Sequence, residues 1–517
     1  MSDTRADADT REARDAGILV WGTVAGKLSE AVAPLVIARL LGKAEYGAFG
    51  ALMLVYATTT VVVGAGVPKA LLYFFAERSW GERKTLLRRF IALMCGLAVL
   101  EAALLFSLGA FGGEALVSTG AWIAKAPTDS VRTFDASSVS PLAWLGVYAL
   151  FDMAPRLWPN LAIAVGRPRA AATSGFLRSI ATLCGTAVPA ALGWGLEGIV
   201  AGLIVVAGAY LAGFLGFTHA LFRNVTATPS SLDVRSIARY ALPLGATEAV
   251  SILNAQLDQW LVLMLLPIER LAEYRNGAWQ IPVLTTIAYS VGAVQLPRLA
   301  GLFARGATTE AMEVWRAAAR KAARVVVPLA MVFVVGATDT MVLAFGEEYA
   351  ASGPIFGCYA LLTMARTTAF GSFLLAAGRP ADVLKAATWT LLSNLAISLP
   401  LALWLGFIGP ALGTLLAFVP TVWVYCRYMA RAANLPIRHT FPLGDYLAVV
   451  AAAMPGVVLA YGLTRYLELP PLAALGLDAL LIVPTFIAFA RAFGLLQARD
   501  LDFVREWLSL RVLRNPG

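Results

Sequence analysis

Apolar residues in this chain fall into long unbroken runs, with neither the alternation of a strand nor the heptads of a coiled coil. The runs cover 16–41, 46–68, 87–110, 142–165, 170–193, 196–221, 237–265, 275–303, 322–345, 354–377, 383–405, 408–430, 443–466 and 472–493. They are 22 to 29 residues long, and an α-helix needs about 20 residues to cross a hydrocarbon core of about 30 Å. The pattern predicts an all-α polytopic membrane protein of about fourteen transmembrane helices. Short polar stretches separate most runs, and one long connection, 111–141, is rich in Ser, Thr and Asp.

Composition sharpens this reading. Of 517 residues, 59% are apolar and 14% charged, with a mean hydropathy of +0.73. Soluble domains carry about 45–50% apolar and about 25% charged residues. A water-exposed exterior, a disordered chain and a disulfide scaffold are excluded, and no length remains for a soluble catalytic domain. Cys95, Cys184, Cys358 and Cys426 are far apart and inside apolar runs, so they read as small buried residues. His219 and His439 stand alone; no metal site and no cofactor is expected. The segment 1–15 mixes Arg with Asp and Glu and precedes a run too long for a signal peptide, which reads as a retained first span after a cytoplasmic tail.

Lys and Arg give the orientation. With the N-terminus inside, inner segments hold 30 of the 41 basic residues and outer segments six. Both termini of this multi-pass protein are then cytoplasmic, and the high Ala, Gly and Arg content points to a bacterial inner (plasma) membrane. The net charge of +9 is a topology signal and an attraction to anionic lipid; no nucleic-acid partner is expected. Residues 499–514 have the pattern of an amphipathic helix on the inner surface or of a solvated tail helix.

The sequence repeats itself. Gly166-Arg167-Pro168 recurs as Gly378-Arg379-Pro380, and Gly195, Gly198 and Gly202 recur as Gly406, Gly409 and Gly413. Ala44-Glu45-Tyr46 recurs as Ala272-Glu273-Tyr274, and Val67-Pro68-Lys69 as Leu296-Pro297-Arg298. The offset falls from about 228 to about 212 across the long connection, as an insertion there requires. The order predicts two parallel six-helix repeats, a design found in transporters. The resulting domains are the tail 1–15, an N-lobe 16–222, a C-lobe 223–431, two further helices in 432–494 and a cytoplasmic amphipathic tail 495–517.

Charges inside spans are costly and mark a pathway or a partner. Lys27 and Glu30 share one face of the first span, and Asp152 and Arg156 one face of the fourth. Each pair reads either as a self-satisfying local pair or as a lining of a polar cavity. Asp258 stands in the polar stretch Asn254–Gln259 of the seventh span, and Arg366 stands midway along the tenth with no acid within a turn. Glu101 and Asp478 read as lumen-facing or packing residues. No metalloprotease, nucleophile-elbow, phosphate-loop or dinucleotide motif occurs. Asp500-Leu501-Asp502 lies in the terminal stretch with no soluble domain around it.

Several segments carry a resemblance: ARLLGKAEYGAFGAL at 38–52, GAGVPKAL at 64–71, YALPLG at 240–245, QLDQWLVL at 256–263, FGEEYAAS at 345–352 and AAGRP at 376–380. In this order and spacing the chain resembles the polysaccharide-biosynthesis flippases, the oligosaccharide branch of the multidrug/oligosaccharidyl-lipid/polysaccharide exporter superfamily. It departs from them in the Arg275-Asn276 that follows Glu273-Tyr274, and in the length of 111–141. The resemblance implies two six-helix lobes plus two helices. It also implies translocation of an undecaprenyl-pyrophosphate-linked glycan by alternating access, without catalytic residues. A polysaccharide polymerase and a chain-length regulator would be its partners, besides membrane lipid. Lys27, Arg366 and Arg156 are then expected in a cationic substrate cavity, and Glu30, Asp152 and Asp258 as cavity or ion-coupling groups. A cation-coupled multidrug exporter and a membrane glycan polymerase or ligase are the competing readings.

Overall fold

The computed structural model describes residues 26, 32–64, 66–76, 78–109, 139–230, 232–367 and 369–496. Lys27, Glu30, most of the long connection and the tail with Asp500-Leu501-Asp502 lie outside the described residues. Among the described residues every regular element is a helix. Among the described residues six segments are long and apolar enough to cross a membrane, or seven if a pair bent by 75° at Gly336 is one span. The first apolar run, 16–41, lies largely outside the described residues, and the fourth and tenth are divided between shorter helices, so the fourteen spans expected from hydropathy are not all seen.

The chain divides into two compact units, residues 1–272 and 273–517. In the first, α1 (Lys43–Gly64) and α2 (Val67–Phe75) are followed by α3 (Trp80–Ser107). Ser79 and Glu82 close a capping box at the start of α3: Glu82 N–H donates to Ser79 Oγ, and Ser79 N–H to Glu82 Oε2. Then come α4 (Val139–Asp152), a 3₁₀ turn (Ala154–Leu157), α5 (Trp158–Ala164), α6 (Pro168–Ala191), α7 (Gly195–Phe222) and α8 (Val234–Leu265). The basic segment around 78–89 has a structural task as well as a topological one. Lys84 Nζ donates to the carbonyls of Phe222 (2.9 Å) and Val225 (2.7 Å), and Arg83 Nε to that of Phe75 (3.1 Å). Cations thus satisfy the open carbonyls at the C-termini of α7 and α2, where the helix dipoles are negative.

A short helix, α9 (Ile268–Gly277), carries the chain into the second unit. There follow α10 (Pro282–Ala304), α11 (Thr308–Val335), α12 (Ala337–Phe345), α13 (Gly353–Ala365), α14 (Phe370–Ala376), α15 (Pro380–Leu405), α16 (Gly409–Ala433), α17 (Leu443–Leu467) and α18 (Pro471–Ala492). The two last helices pack on each other and on α11 around Val327, Val449, Ala453, Ile482 and Phe486.

The repeated motifs are repeated structures. Gly166 and Gly378 both take left-handed φ, +71° and +70°, a conformation open to glycine at small cost. Behind each, the arginine N–H donates back to the preceding helix, Arg167 to Ala162 (2.8 Å) and Arg379 to Leu374 (2.9 Å), and a proline starts the next helix. Further on, a Cβ on Gly202 would collide with the carbonyl oxygen of Gly185, and one on Gly413 with the side chain of Ser398. These glycines let α7 approach α6, and α16 approach α15, at backbone distance.

Outward surfaces are apolar. Trp404 is 83% exposed and Val205 71%, as a lipid-facing surface requires. Cys95 and Cys184 correct the sequence reading: both are exposed, while Cys358 and Cys426 are buried. Hydropathy does not separate a lipid-facing apolar position from a core one, because both environments are oily.

Candidate functional site

The fourth apolar run is not one helix. Pro155 and Pro159 each remove a backbone donor, and the run breaks into α4, the 3₁₀ turn and α5. Asp152 ends α4 at this break, with Arg156 on the turn. Arg156 donates from Nε (2.9 Å) and Nη2 (2.7 Å) to Asp152 Oδ2, so the expected i,i+4 pair forms. It is not self-contained. Arg178 of α6 donates to Asp152 Oδ1, and Tyr56 of α1 donates its hydroxyl to Oδ2 at 2.6 Å. Arg156 Nη2 also reaches the Tyr56 oxygen at 3.2 Å.

Three helices and one turn therefore converge on a single carboxylate. Asp152 has a side-chain exposure of 2%, while Arg156 and Arg178 keep 30% and 28%. The acid is sealed, and the two arginine side chains keep partial exposure. Aromatic faces hold the cations in place: Arg178 lies 5.0 Å from the Tyr210 ring centre and Arg156 5.9 Å from that of Tyr56. Among these three groups the charge sums to one positive unit in a dry setting, where Coulombic effects are strong. Such an arrangement suits an anion with several oxygens, because guanidinium forks match carboxylate and phosphate geometry.

The tenth apolar run is broken at the corresponding place. Helix α13 ends at Ala365, Arg366 is its C-cap residue, and α14 begins at Phe370. At the offset of about 212, Arg366 corresponds to Ala154, inside the break of the fourth run. Thr367, a poor helix former, stands in this break, where no proline occurs. The guanidinium of Arg366 lies 5.6 Å from the ring centre of Phe418. Interrupted helices at matching positions of two repeats are where transporters build binding sites.

Asp258 is buried, 2% exposed, and its Oδ1 accepts from Gln259 N–H at 3.0 Å. The polar stretch around it joins α8 to α1: Thr58 Oγ1 lies 2.7 Å from Gln256 Oε1 and accepts from Trp260 Nε1 (3.0 Å). Lys27 and Glu30 lie outside the described residues, so the expected set is placed only at Arg156, Asp152, Asp258 and Arg366. Sequence reasoning missed Arg178 and Tyr56. Arg178 stands ten residues into α6, about 15 Å along the helix at 1.5 Å per residue. That depth was available from spacing alone. Glu101 and Asp478 are fully buried, 0% and 1% exposed, so neither faces a lumen.

Comparisons with known proteins agree with this architecture. The family described as "Polysaccharide biosynthesis protein" matches residues 13–303, more than half of the chain. A comparison with curated proteins gives no match. Among solved structures, the lipid II flippase MurJ in an inward closed conformation aligns over 93% of this chain and 99% of its own, at 14% identity and a TM-score of 0.69. A MOP superfamily transporter from Pyrococcus furiosus aligns over 80% and 94% at 13% identity and a TM-score of 0.50. An inward-facing multidrug resistance MATE family transporter of the same superfamily aligns over 79% and 96% at 16% identity and a TM-score of 0.49. These neighbours are transporters and flippases, not enzymes. The chain shares the fold of the first two, and on its family match it belongs to the polysaccharide biosynthesis protein family.

Proposed function

We propose that the protein is a flippase for undecaprenyl-pyrophosphate-linked oligosaccharides, moving completed units from the inner to the outer leaflet of a bacterial inner membrane. The observation that carries this reading is the cluster of Arg156 and Arg178 around the single sealed carboxylate of Asp152. A pyrophosphate head group presents several anionic oxygens, and its polyprenyl tail can stay in lipid. Two partly exposed arginine side chains held by one buried acid supply a cationic anchor without leaving a bare charge in the membrane. Arg366, at the break in the other repeat, supplies a second anchor, and Lys27 a third. Asp152 orients the arginines, while Asp258 and Glu30 are polar or ion-coupling groups. Alternating access would expose the head group to one side and then the other, with both termini cytoplasmic. A polysaccharide polymerase and a chain-length regulator would then act on the product.

A multidrug exporter for cationic compounds would need an acidic lining, and the positive balance at Asp152 argues against it. Deleting the gene in its host and analysing lipid-linked glycans tests the proposal. Loss of surface polymer, with repeat units accumulating on the carrier at the inner leaflet, is the expected result. Intact surface glycan with increased sensitivity to cationic dyes would overturn it in favour of drug export. Unpolymerised units already exposed outside would overturn it in favour of an enzyme.

A further inference from the structure

Glu101 of α3 is fully buried, and it lies near the arginine cluster without belonging to its hydrogen bonds. Its Oε1 contacts the hydroxyls of Thr60 and Thr59 of α1, the latter at 3.2 Å. Among the described residues its buried Oε2 has no hydrogen-bond partner. The Thr59 hydroxyl also lies 3.0 Å from the carbonyl oxygen of Tyr56. A hydroxyl has one hydrogen, and a carbonyl can only accept. Thr59 therefore serves either that carbonyl or Glu101, which leaves Thr60 as the full donor to the carboxyl. An ionised carboxylate would in addition leave a charged oxygen dry and unpaired, which costs far more than an unpaired neutral carbonyl.

The elements packed against α3 bring few charges to Glu101. α1 presents Tyr56, Thr59 and Thr60, α4 presents Asp152, and the 3₁₀ turn presents Arg156. On α2 and α8, which also touch α3, Lys69 and Glu248 pair with each other at 3.1 Å. Of the charged groups, Arg156 and Asp152 act on Glu101.

We propose that Glu101 is a proton-binding site that sets the net charge of the arginine cluster, so that an anionic head group binds together with a proton. The inference rests on the pyrophosphate reading above. With Glu101 protonated, Arg156, Arg178 and Asp152 leave one positive charge; with Glu101 ionised, the group is neutral. An anion binds the first state more tightly, and by reciprocity its binding strengthens the hold on the proton. Water supplies the proton on binding and takes it back when the anion leaves.

The test uses the full chain in lipid nanodiscs with undecaprenyl pyrophosphate as the probe, and measures Kd from acidic to alkaline pH. The affinity of the wild type is expected to fall about tenfold per pH unit once Glu101 ionises, one proton being linked to one anion. E101Q, fixed in the neutral form, keeps its low-pH affinity at alkaline pH. T60V removes a donor to the carboxyl and moves the fall to higher pH, which supplies a second variant should E101Q not fold. Infrared difference spectra should carry a protonated-carboxyl band in the wild type that E101Q lacks. Equal pH profiles for wild type and E101Q, or an unshifted T60V profile, overturn the linkage. A missing carboxyl band overturns the protonated Glu101 even where the probe binds. Failure of every protein to bind the probe, with the band present, overturns the pyrophosphate reading and the linkage built on it, while the proton on Glu101 stands.

Discussion

Arg178 donates to Oδ1 of Asp152 across 26 residues of sequence, from the middle of one helix to the broken end of another. The Gly166-Arg167-Pro168 turn between them makes this contact possible. It reverses the chain with left-handed glycine backbone and starts α6 on a proline, so that α6 runs back alongside the break.

Removing the acid should be worse than removing either base. Asp152→Ala leaves two guanidiniums facing each other without a counter-charge, and breaking a buried pair in this way costs about 3–5 kcal/mol. The expected result is a strong drop in thermal unfolding temperature in detergent, larger than that of R178A. A D152A protein as stable as wild type would show that the cluster does not hold the first unit together.

Tyr56→Phe isolates one hydrogen bond. The phenol donates to Asp152 at 2.6 Å and lies 3.2 Å from Arg156. Its loss leaves the ion pairs in place, and the expected cost is about 1–2 kcal/mol. Transport should fall without being abolished, which glycan export in a complemented deletion strain can measure. Total loss of export at normal protein levels would give Tyr56 a direct part in binding.

Charge removal at the second break tests the role of Arg366. R366A should block export of lipid-linked glycan at normal protein levels, and R366K should restore part of it. Lysine keeps the charge but loses the planar fork and much of the stacking on Phe418, which stands 5.6 Å away. Export that persists in R366A at normal levels removes this residue from the binding proposal.

Two glycines of α7 should respond in opposite directions to the same change. Gly202→Ala drives a Cβ into the carbonyl of Gly185, while Gly208 has nothing within 4 Å of its added Cβ. G202A should therefore force α6 and α7 apart and lower the unfolding temperature. G208A should be neutral or stabilising by about 0.5–1 kcal/mol, the helical preference for alanine over glycine. Equal responses would mean that α6 and α7 do not meet at Gly202.

Much of this protein is legible in its sequence. Runs of 22 to 29 apolar residues dictate helices, because unpaired backbone groups cannot be left in hydrocarbon. The paired motifs dictate a repeat, since Gly-Arg-Pro needs the same turn wherever it occurs. Asp152 and Arg156 are tied by their spacing, because residues four apart share a helix face. Other features were open to the tertiary structure alone. Hydropathy read the fourth and tenth runs as single spans, and they broke where prolines or threonines weaken the backbone. It could not tell Cys95, which faces outward, from Cys426, which is buried, because lipid and core are equally apolar. Nor could it bring Arg178, Tyr56 and Asp152 together. Those residues lie on three separate helices, and only side-chain packing and the cost of a bare charge in a dry interior decide that they meet.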